Sequence, residues 1–302
     1  MLDSILLTGA RGFTGRALSQ ALRSRGYPVF ALHGQNADEQ DEYSCDLLDV
    51  TRLRALVRRL QPQRVVHLAA ISFIASEDEQ GFYRTNVLGT CALLDSLASV
   101  EHPPRQVILA SSANVYGIPS STDLLTEESP LRPVNHYACS KLAMEHMART
   151  YADRLPITIV RPFNYSGPGQ SSSFLLAKIV NHFARRSPVL ELGNIDISRD
   201  FASISDVVNA YLALIEQRVT GQTLNICTGR STSLQSIIEF LVSLTGHRPE
   251  IRSNASFIRP NEIRFLAGDN SRLRQVTGWQ VTQSVEALLE DMLVAASASD
   301  AS

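Results

Sequence analysis

Ser4-Ile5-Leu6-Leu7-Thr8-Gly9-Ala10-Arg11-Gly12-Phe13-Thr14-Gly15 carries a short apolar run straight into three glycines spaced G-x-x-G-x-x-G. The amphipathic stretch 17–25 follows at once, so the segment reads as strand, tight turn and helix. Glycine is a steric requirement here. A side chain at Gly12 would block a pyrophosphate's approach to the helix N-terminus, and one at Gly15 would push the helix off the strand. Glycine turns also join strands to helices with no ligand, and it is the position between a buried strand and a helix that favours a phosphate cradle.

Outward from that turn the same rhythm repeats. Short apolar runs at 28–32, 65–68 and 107–110 alternate with amphipathic stretches at 53–60 and 87–98, and a further apolar run stands at 157–161. Strands that read as continuous apolar runs belong to a parallel sheet buried on both faces. The predicted fold is therefore α/β: a doubly wound parallel sheet of Rossmann type with right-handed crossovers. A Gly, Pro and Ser-rich loop at 164–173 then leads to a helix at 174–186, a strand returns at 222–227, and 231–295 reads mainly as helices joined by polar loops. This divides the chain into a dinucleotide-binding domain over 1–163, to which 206–228 returns, and a smaller interleaved C-terminal substrate lobe over 164–205 and 229–295. Residues 296–302 are small and polar and are expected to fray.

Composition narrows the partners. The 302 residues are 44% hydrophobic with a formal net charge of -2, enough apolar material for a large core and no field to gather nucleic acid or an anionic membrane. Cys45, Cys91, Cys139 and Cys227 form no Cys-x-x-Cys pair, so neither a metal site nor a disulfide framework is expected, and a reduced cytoplasm fits. The N-terminus lacks a signal-peptide pattern, and no run of about 18 apolar residues is present to span a bilayer. The ligand is expected to be small.

At the end of the second strand, Phe30-Ala31-Leu32-His33-Gly34 offers none of the acidic residues that hold a ribose 2′-hydroxyl in NAD sites. Arg11 and His33 suit a 2′-phosphate, which favours NADP with NAD as the alternative. Farther on, Tyr137-Ala138-Cys139-Ser140-Lys141 sets a phenol and an ammonium on one helix face. A free phenol titrates near 10, and a neighbouring cation favours phenolate and proton exchange. In isolation such a pair is as readily a surface pair; its company decides.

In chain order, the glycine turn, Asp46-Leu47-Leu48-Asp49, His67-Leu68-Ala69-Ala70, Asn86-Val87-Leu88-Gly89-Thr90, Ser111-Ser112-Ala113-Asn114-Val115-Tyr116-Gly117 and the Tyr-x-x-x-Lys pattern resemble the extended short-chain dehydrogenase/reductases, the nucleotide-sugar epimerase/dehydratase family, over nearly the whole chain. The resemblance implies an NAD(P) cofactor held by Gly9, Arg11, Gly12, Phe13, Gly15 and His33. It puts Asp46 and Leu47 at the adenine, Leu68, Ala69, Ala70 and Asn86 along the groove, and Tyr137 and Lys141 at the nicotinamide ribose. Ser112, Tyr137 and Lys141 are the implied catalytic residues, with Ser112 donating to the sugar oxygen that gains or loses charge.

Arg161-Pro162-Phe163-Asn164-Tyr165-Ser166-Gly167-Pro168-Gly169 looks like the family's passage into the substrate lobe, with Asn164 at the sugar diphosphate. Ser198-Arg199-Asp200-Phe201, Arg259-Pro260-Asn261-Glu262, Gly268-Asp269 and Gly278-Trp279 resemble the branch that handles GDP-mannose and its 4-keto-6-deoxy derivative. Arg199 and Arg259 would meet the diphosphate and Glu262 a ribose hydroxyl or guanine edge; the bland reading of these groups is surface ion pairs. Dehydratases of the family carry an acid just after the catalytic Ser or Thr, where this chain has Ala113 and Asn114, neither of which exchanges protons at neutral pH. The expectation is a reductase delivering hydride to C4 of GDP-4-keto-6-deoxy-D-mannose, with a nucleotide-sugar 4-epimerase as the alternative. A dehydratase, or a non-catalytic NADP sensor, fits the residues less well. The helices at 87–98 and 142–155 resemble the pair through which family members form homodimers, and the same helices equally cover a sheet in a monomer.

Overall fold

The computed structural model describes residues 2–34, 42–72, 78–258 and 261–299. The first half comprises β1 (Ile5–Thr8), α1 (Phe13–Ser24), β2 (Val29–His33), β3 (Glu42–Ser44), α2 (Val50–Leu60), β4 (Arg64–His67), α3 (Glu79–Tyr83), a π-helical turn (Arg84–Gly89) running on into α4 (Thr90–Ala98), β5 (Gln106–Ala110), a 3-10 turn (Ala113–Tyr116), α5 (His136–Arg149) and β6 (Ile157–Pro162). The second half comprises β7 (Asn164–Ser166), α6 (Leu175–Ala184), β8 (Val189–Leu192), β9 (Ser198–Arg199), β10 (Phe201–Ser203), α7 (Ile204–Glu216), β11 (Thr223–Ile226), β12 (Thr232–Ser233), α8 (Leu234–Thr245), β13 (Glu250–Ser253), β14 (Phe265–Leu266), α9 (Ser271–Thr277) and α10 (Val285–Ser299).

The main sheet has seven strands in the order β11-β6-β5-β4-β1-β2-β3, every pairing parallel. The chain winds outward from β1 to β3, returns to β4 on the other side of β1, and winds outward again. The strand order reverses between β1 and β4, where a doubly wound sheet opens its ligand crevice. Alternation sends Ile5 and Leu7 to the layer of α1 and α7 with Leu18, Leu22, Tyr211 and Leu214. Leu6, Val65 and Val107 go to the opposite layer with Leu53, Leu93 and Met144. Both faces are covered, which is why the strands carry apolar residues throughout.

A separate core gathers α6, α8 and α10 through residues such as Ile179, Phe183, Leu241 and Leu289, beside three small sheets of two or three strands. The segment 229–295 is not confined to it, because Leu273 and Trp279 pack into the α1/α7 layer of the main sheet. Three features depart from expectation. Strand β3 was not foreseen: Glu-Tyr-Ser has no apolar run, and its strand character comes from pairing along β2. Short strands β12, β13 and β14 interrupt the helices of 231–295. At the C-terminal end, α10 continues through Ser299, so 296–299 extend a helix instead of fraying from 296. Among the described residues no helix is long and apolar enough to cross a membrane.

Candidate active site

The turn after β1 is built against the end of β4. Gly9 has φ +69°, and a Cβ there would lie 2.7 Å from the Ala69 nitrogen. A Cβ on Gly15 would meet the Gly9 carbonyl oxygen, so α1 packs onto the turn only because that position is bare. Phe13 stacks on Tyr165 with ring centroids 6.3 Å apart, and the Thr14 hydroxyl and Tyr165 phenol lie 2.8 Å apart, tying this turn to β7 and the second lobe. Leu68, Ala69 and Ala70 are half-buried along the crevice. Leu47 is buried in the α2/α4 layer, whereas Asp46 is exposed and accepts from the Leu48 N–H at 2.9 Å.

Beneath the crevice runs a chain of hydrogen bonds whose direction is determined. The Thr90 hydroxyl donates to the Asn86 carbonyl at 2.7 Å, so its oxygen must accept from His67 Nε2, 2.9 Å away. Nδ1 then carries no proton and accepts from the Thr8 hydroxyl at 2.7 Å, whose oxygen accepts from the Ala69 N–H at 3.2 Å. Burial, aided by the Lys141 cation, pushes the His67 pKa down to about 3, so the ring is a neutral strut and not a base. Asn86 is fully buried. Its oxygen accepts from Ile71 N–H and its two amide hydrogens go to the Ile71 carbonyl and the Ser140 hydroxyl. Its amide hydrogens are thus engaged within the protein, and Asn86 ties the groove wall to α5.

At the other end of the crevice, Ser112 follows β5 and caps the 3-10 turn, its oxygen accepting from the Asn114 backbone N–H at 3.2 Å and from Asn114 Nδ2 at 3.1 Å. With its oxygen so engaged, Ser112 keeps its hydroxyl proton to donate, and its side chain lies near enough to Tyr137 to favour the phenolate. Asn135 caps α5 by accepting from the Ala138 N–H at 2.8 Å, which places Tyr137 in the first turn and Lys141 one turn on. Tyr137 is 8% exposed, edge-on to Phe82 at 6.0 Å. Burial pushes its pKa up to about 12, and Ser112 pulls the other way. Lys141 donates to the Ala110 carbonyl at 2.7 Å, and burial brings its pKa down to about 8 against the support of Glu145. Burial outweighs the lowering by Ser112, and Tyr137 stands protonated at neutral pH.

Glu145 and Arg161 form the footing behind this site. The Glu145 carboxylate accepts from Arg161 Nε at 2.9 Å and Nη2 at 2.7 Å, and from the Ser111 hydroxyl at 2.6 Å. Arg161 also donates to the Tyr116 phenol oxygen at 3.1 Å, and that phenol donates to Asn225 at 2.7 Å. One buried network therefore joins α5, the residue preceding Ser112, β6 and β11.

The substrate-lobe residues fall on neighbouring elements. Asn164 is exposed at the start of β7, which pairs with β10. Arg199 on β9 donates to the Ser198 and Ile263 carbonyls, next to Glu262, whose Oε2 is buried without a hydrogen-bond partner among the described residues. Asp200 anchors this region by accepting from Thr228 N–H, the Thr228 hydroxyl and Gly229 N–H at 2.8 to 2.9 Å. Arg259 lies outside the described residues. Lys178 stands over the Phe257 ring, 3.7 Å from its centroid, beside a recess shared with His182 and Arg185.

It also missed an acid. The carboxylate absent from the end of β2 comes from the start of β3: Glu42 Oε2 accepts from Arg11 Nη2 at 2.8 Å and lies 3.3 Å from His33 Nε2. Neither His33 ring nitrogen, although buried, has a hydrogen-bond partner among the described residues. Bare glycines at the turn, a protonated phenol near Ser112, and Arg11, His33 and Glu42 gathered at the β2 edge together fit a dinucleotide lying across the C-terminal ends of β1, β2 and β4.

Comparison with known proteins agrees. The family model described as GDP-mannose 4,6 dehydratase matches residues 6–292. A GDP-6-deoxy-D-talose 4-dehydrogenase of Aggregatibacter actinomycetemcomitans is 37% identical over 95% of this chain and 96% of its own. A GDP-6-deoxy-D-mannose reductase of Pseudomonas aeruginosa is 32% identical over 96% and 97%. The structure of RMD from Pseudomonas aeruginosa complexed with NADPH superposes with a TM-score of 0.86 at 30% identity, covering 99% of this chain and all of that one.

Proposed function

Since the chain belongs to the GDP-mannose 4,6 dehydratase family of NAD(P)-dependent short-chain enzymes, we propose that it is a reductase acting at C4 of a GDP-linked 4-keto-6-deoxyhexose. A reduced nicotinamide bound along the crevice supplies the hydride. Tyr137 gives its proton to the C4 oxygen as charge develops there. Ser112 donates a hydrogen bond to the same oxygen, its own oxygen being occupied by Asn114. Lys141, anchored on Ala110, holds a cation beside the reacting groups. Asn164, Arg199, Arg259 and Glu262 receive the nucleotide diphosphate and its ribose or base, the buried oxygen of Glu262, without a hydrogen-bond partner among the described residues, being an acceptor in want of a donor.

The observation that carries this reading is a buried phenol, kept neutral by its burial, near a buried serine whose oxygen is held by Asn114, with Ala113 and Asn114 where elimination needs an acid or base. The site is furnished to deliver a proton, and neither position after Ser112 offers the second proton-transfer group of a dehydratase. Two relatives named for the talose and mannose forms of a GDP-6-deoxyhexose support the same substrate class. GDP-4-keto-6-deoxymannose supplied with NADPH or NADH should cause loss of nicotinamide absorbance. Tyr137→Phe should abolish most turnover while leaving cofactor affinity nearly unchanged, and NMR of the product should assign its C4 configuration. Interconversion of UDP-galactose without net cofactor use, and no reaction with the keto sugar, would replace the reductase with an epimerase. Exposed Leu88 and Met147, on the helical segments named above, support a homodimer joined through them, which light scattering of the purified protein tests.

A further inference from the structure

We propose that Glu42 sets the choice between NADH and NADPH. The end of β2 is where a doubly wound site meets the adenosine ribose, and an acid there receives a 2′-hydroxyl while an arginine receives a 2′-phosphate. This chain places both kinds of group at one point. Arg11 leaves the glycine turn and His33 ends β2, and Glu42, from the start of β3, puts a single carboxylate oxygen 2.8 Å from the first and 3.3 Å from the second. The Arg11 hydrogen bond, with the His33 ring contributing, holds the Glu42 carboxyl below its ordinary range, so it is ionised throughout neutral pH. The two side chains that would make this edge a phosphate site face a negative charge already in place.

Two consequences follow for a ligand. A ribose 2′-hydroxyl donates to Glu42 without disturbing Arg11. A 2′-phosphate must draw Arg11 away from Glu42 or share it, and must sit within a few ångströms of the carboxylate. A carboxylate and a dianion about 6 Å apart repel, even in a water-like dielectric, by an amount worth roughly tenfold in affinity. Glu42 thus offsets the attraction that Arg11 alone would give NADPH, and the chain accepts both cofactors.

The inference rests on the dinucleotide reading of the crevice and not on the identity of the sugar, so its test contains no sugar. The full-length protein, Glu42→Gln and Arg11→Gln are titrated with NADPH and with NADH by nicotinamide fluorescence. Glu42→Gln should tighten NADPH about tenfold and weaken NADH, while Arg11→Gln should weaken NADPH more than NADH. Glu42 is partly exposed and its amide is near-isosteric, and an unchanged melting temperature will certify the fold. If both cofactors bind Glu42→Gln with the same ratio of affinities as the parent, Glu42 does not select. If neither dinucleotide binds the parent protein, the crevice reading falls and this inference with it.

Discussion

Replacing Glu145 by glutamine tests the footing of the site. Glu145 is 0% exposed and Arg161 is 1% exposed. The carboxylate takes two charge-assisted bonds from the guanidinium and one from Ser111. A glutamine keeps the volume but turns one acceptor into a donor, so an N–H of Arg161 or the Ser111 hydroxyl faces another N–H, and the buried cation loses its counter-charge. Removing one member of such a pair costs about 3–5 kcal/mol, a large share of the roughly 5–15 kcal/mol that holds a domain together. With a urea slope of about 3 kcal/mol per molar, the unfolding midpoint should fall by about 1 to 1.7 M at unchanged slope. Glu145→Gln combined with Arg161→Met removes the stranded charge, so the double variant should be more stable than Glu145→Gln alone. A midpoint drop below about 0.3 M in the single variant, or a double variant less stable than it, would refute the account of Glu145 as a buried counter-ion.

Asn114→Ala should lower kcat severalfold with little change in KM, because Ser112 loses one of the two donors that hold its oxygen, and Ser112→Ala should cost about 10²–10³ in kcat; equal losses in KM would point to substrate binding instead. His67, neutral in the fold with a pKa near 3 against 6.5 unfolded, contributes stability that is full above pH 6.5 and is lost as pH falls toward 3. Denaturant midpoints at pH 7 and pH 5 should therefore show His67→Gln losing about 2 kcal/mol less than the parent over that interval. Gly9→Ala should abolish cofactor binding in a fluorescence titration, since its φ of +69° and the 2.7 Å approach to Ala69 leave no room for a methyl group.

Much of this was readable in the chain because the strongest signals are local. The glycine spacing, the apolar strands and the Tyr-x-x-x-Lys pair each lie within a few residues. Glu42 was invisible for the opposite reason: its partner Arg11 is 31 residues away, and the strand that brings it there is three polar residues long. Asn114 was read only for the acid it is not, and its work as a donor to Ser112 appears once the 3-10 turn folds the two together. Asn86 stands in a motif that lies beside the groove. The structure spends its amide on Ile71 and Ser140, which a linear pattern cannot express. The spacing of Tyr137 and Lys141 is legible in the sequence, whereas the burial that raises the phenol's pKa is a property of the fold.

The contact between Gly9 and the Ala69 backbone has a further implication for altering the enzyme. The crevice is walled at that point by main chain against main chain, so no exchange of side chains can widen it, and its cross-section follows from the sheet itself. The second lobe is different. Its small sheets are two or three strands wide and are secured to the main sheet by a few anchors such as Asp200. Redesign aimed at a new nucleotide sugar can therefore replace whole loops in the second lobe while leaving the oxidation–reduction half untouched, as one changes the jaw of a tool without recasting its handle.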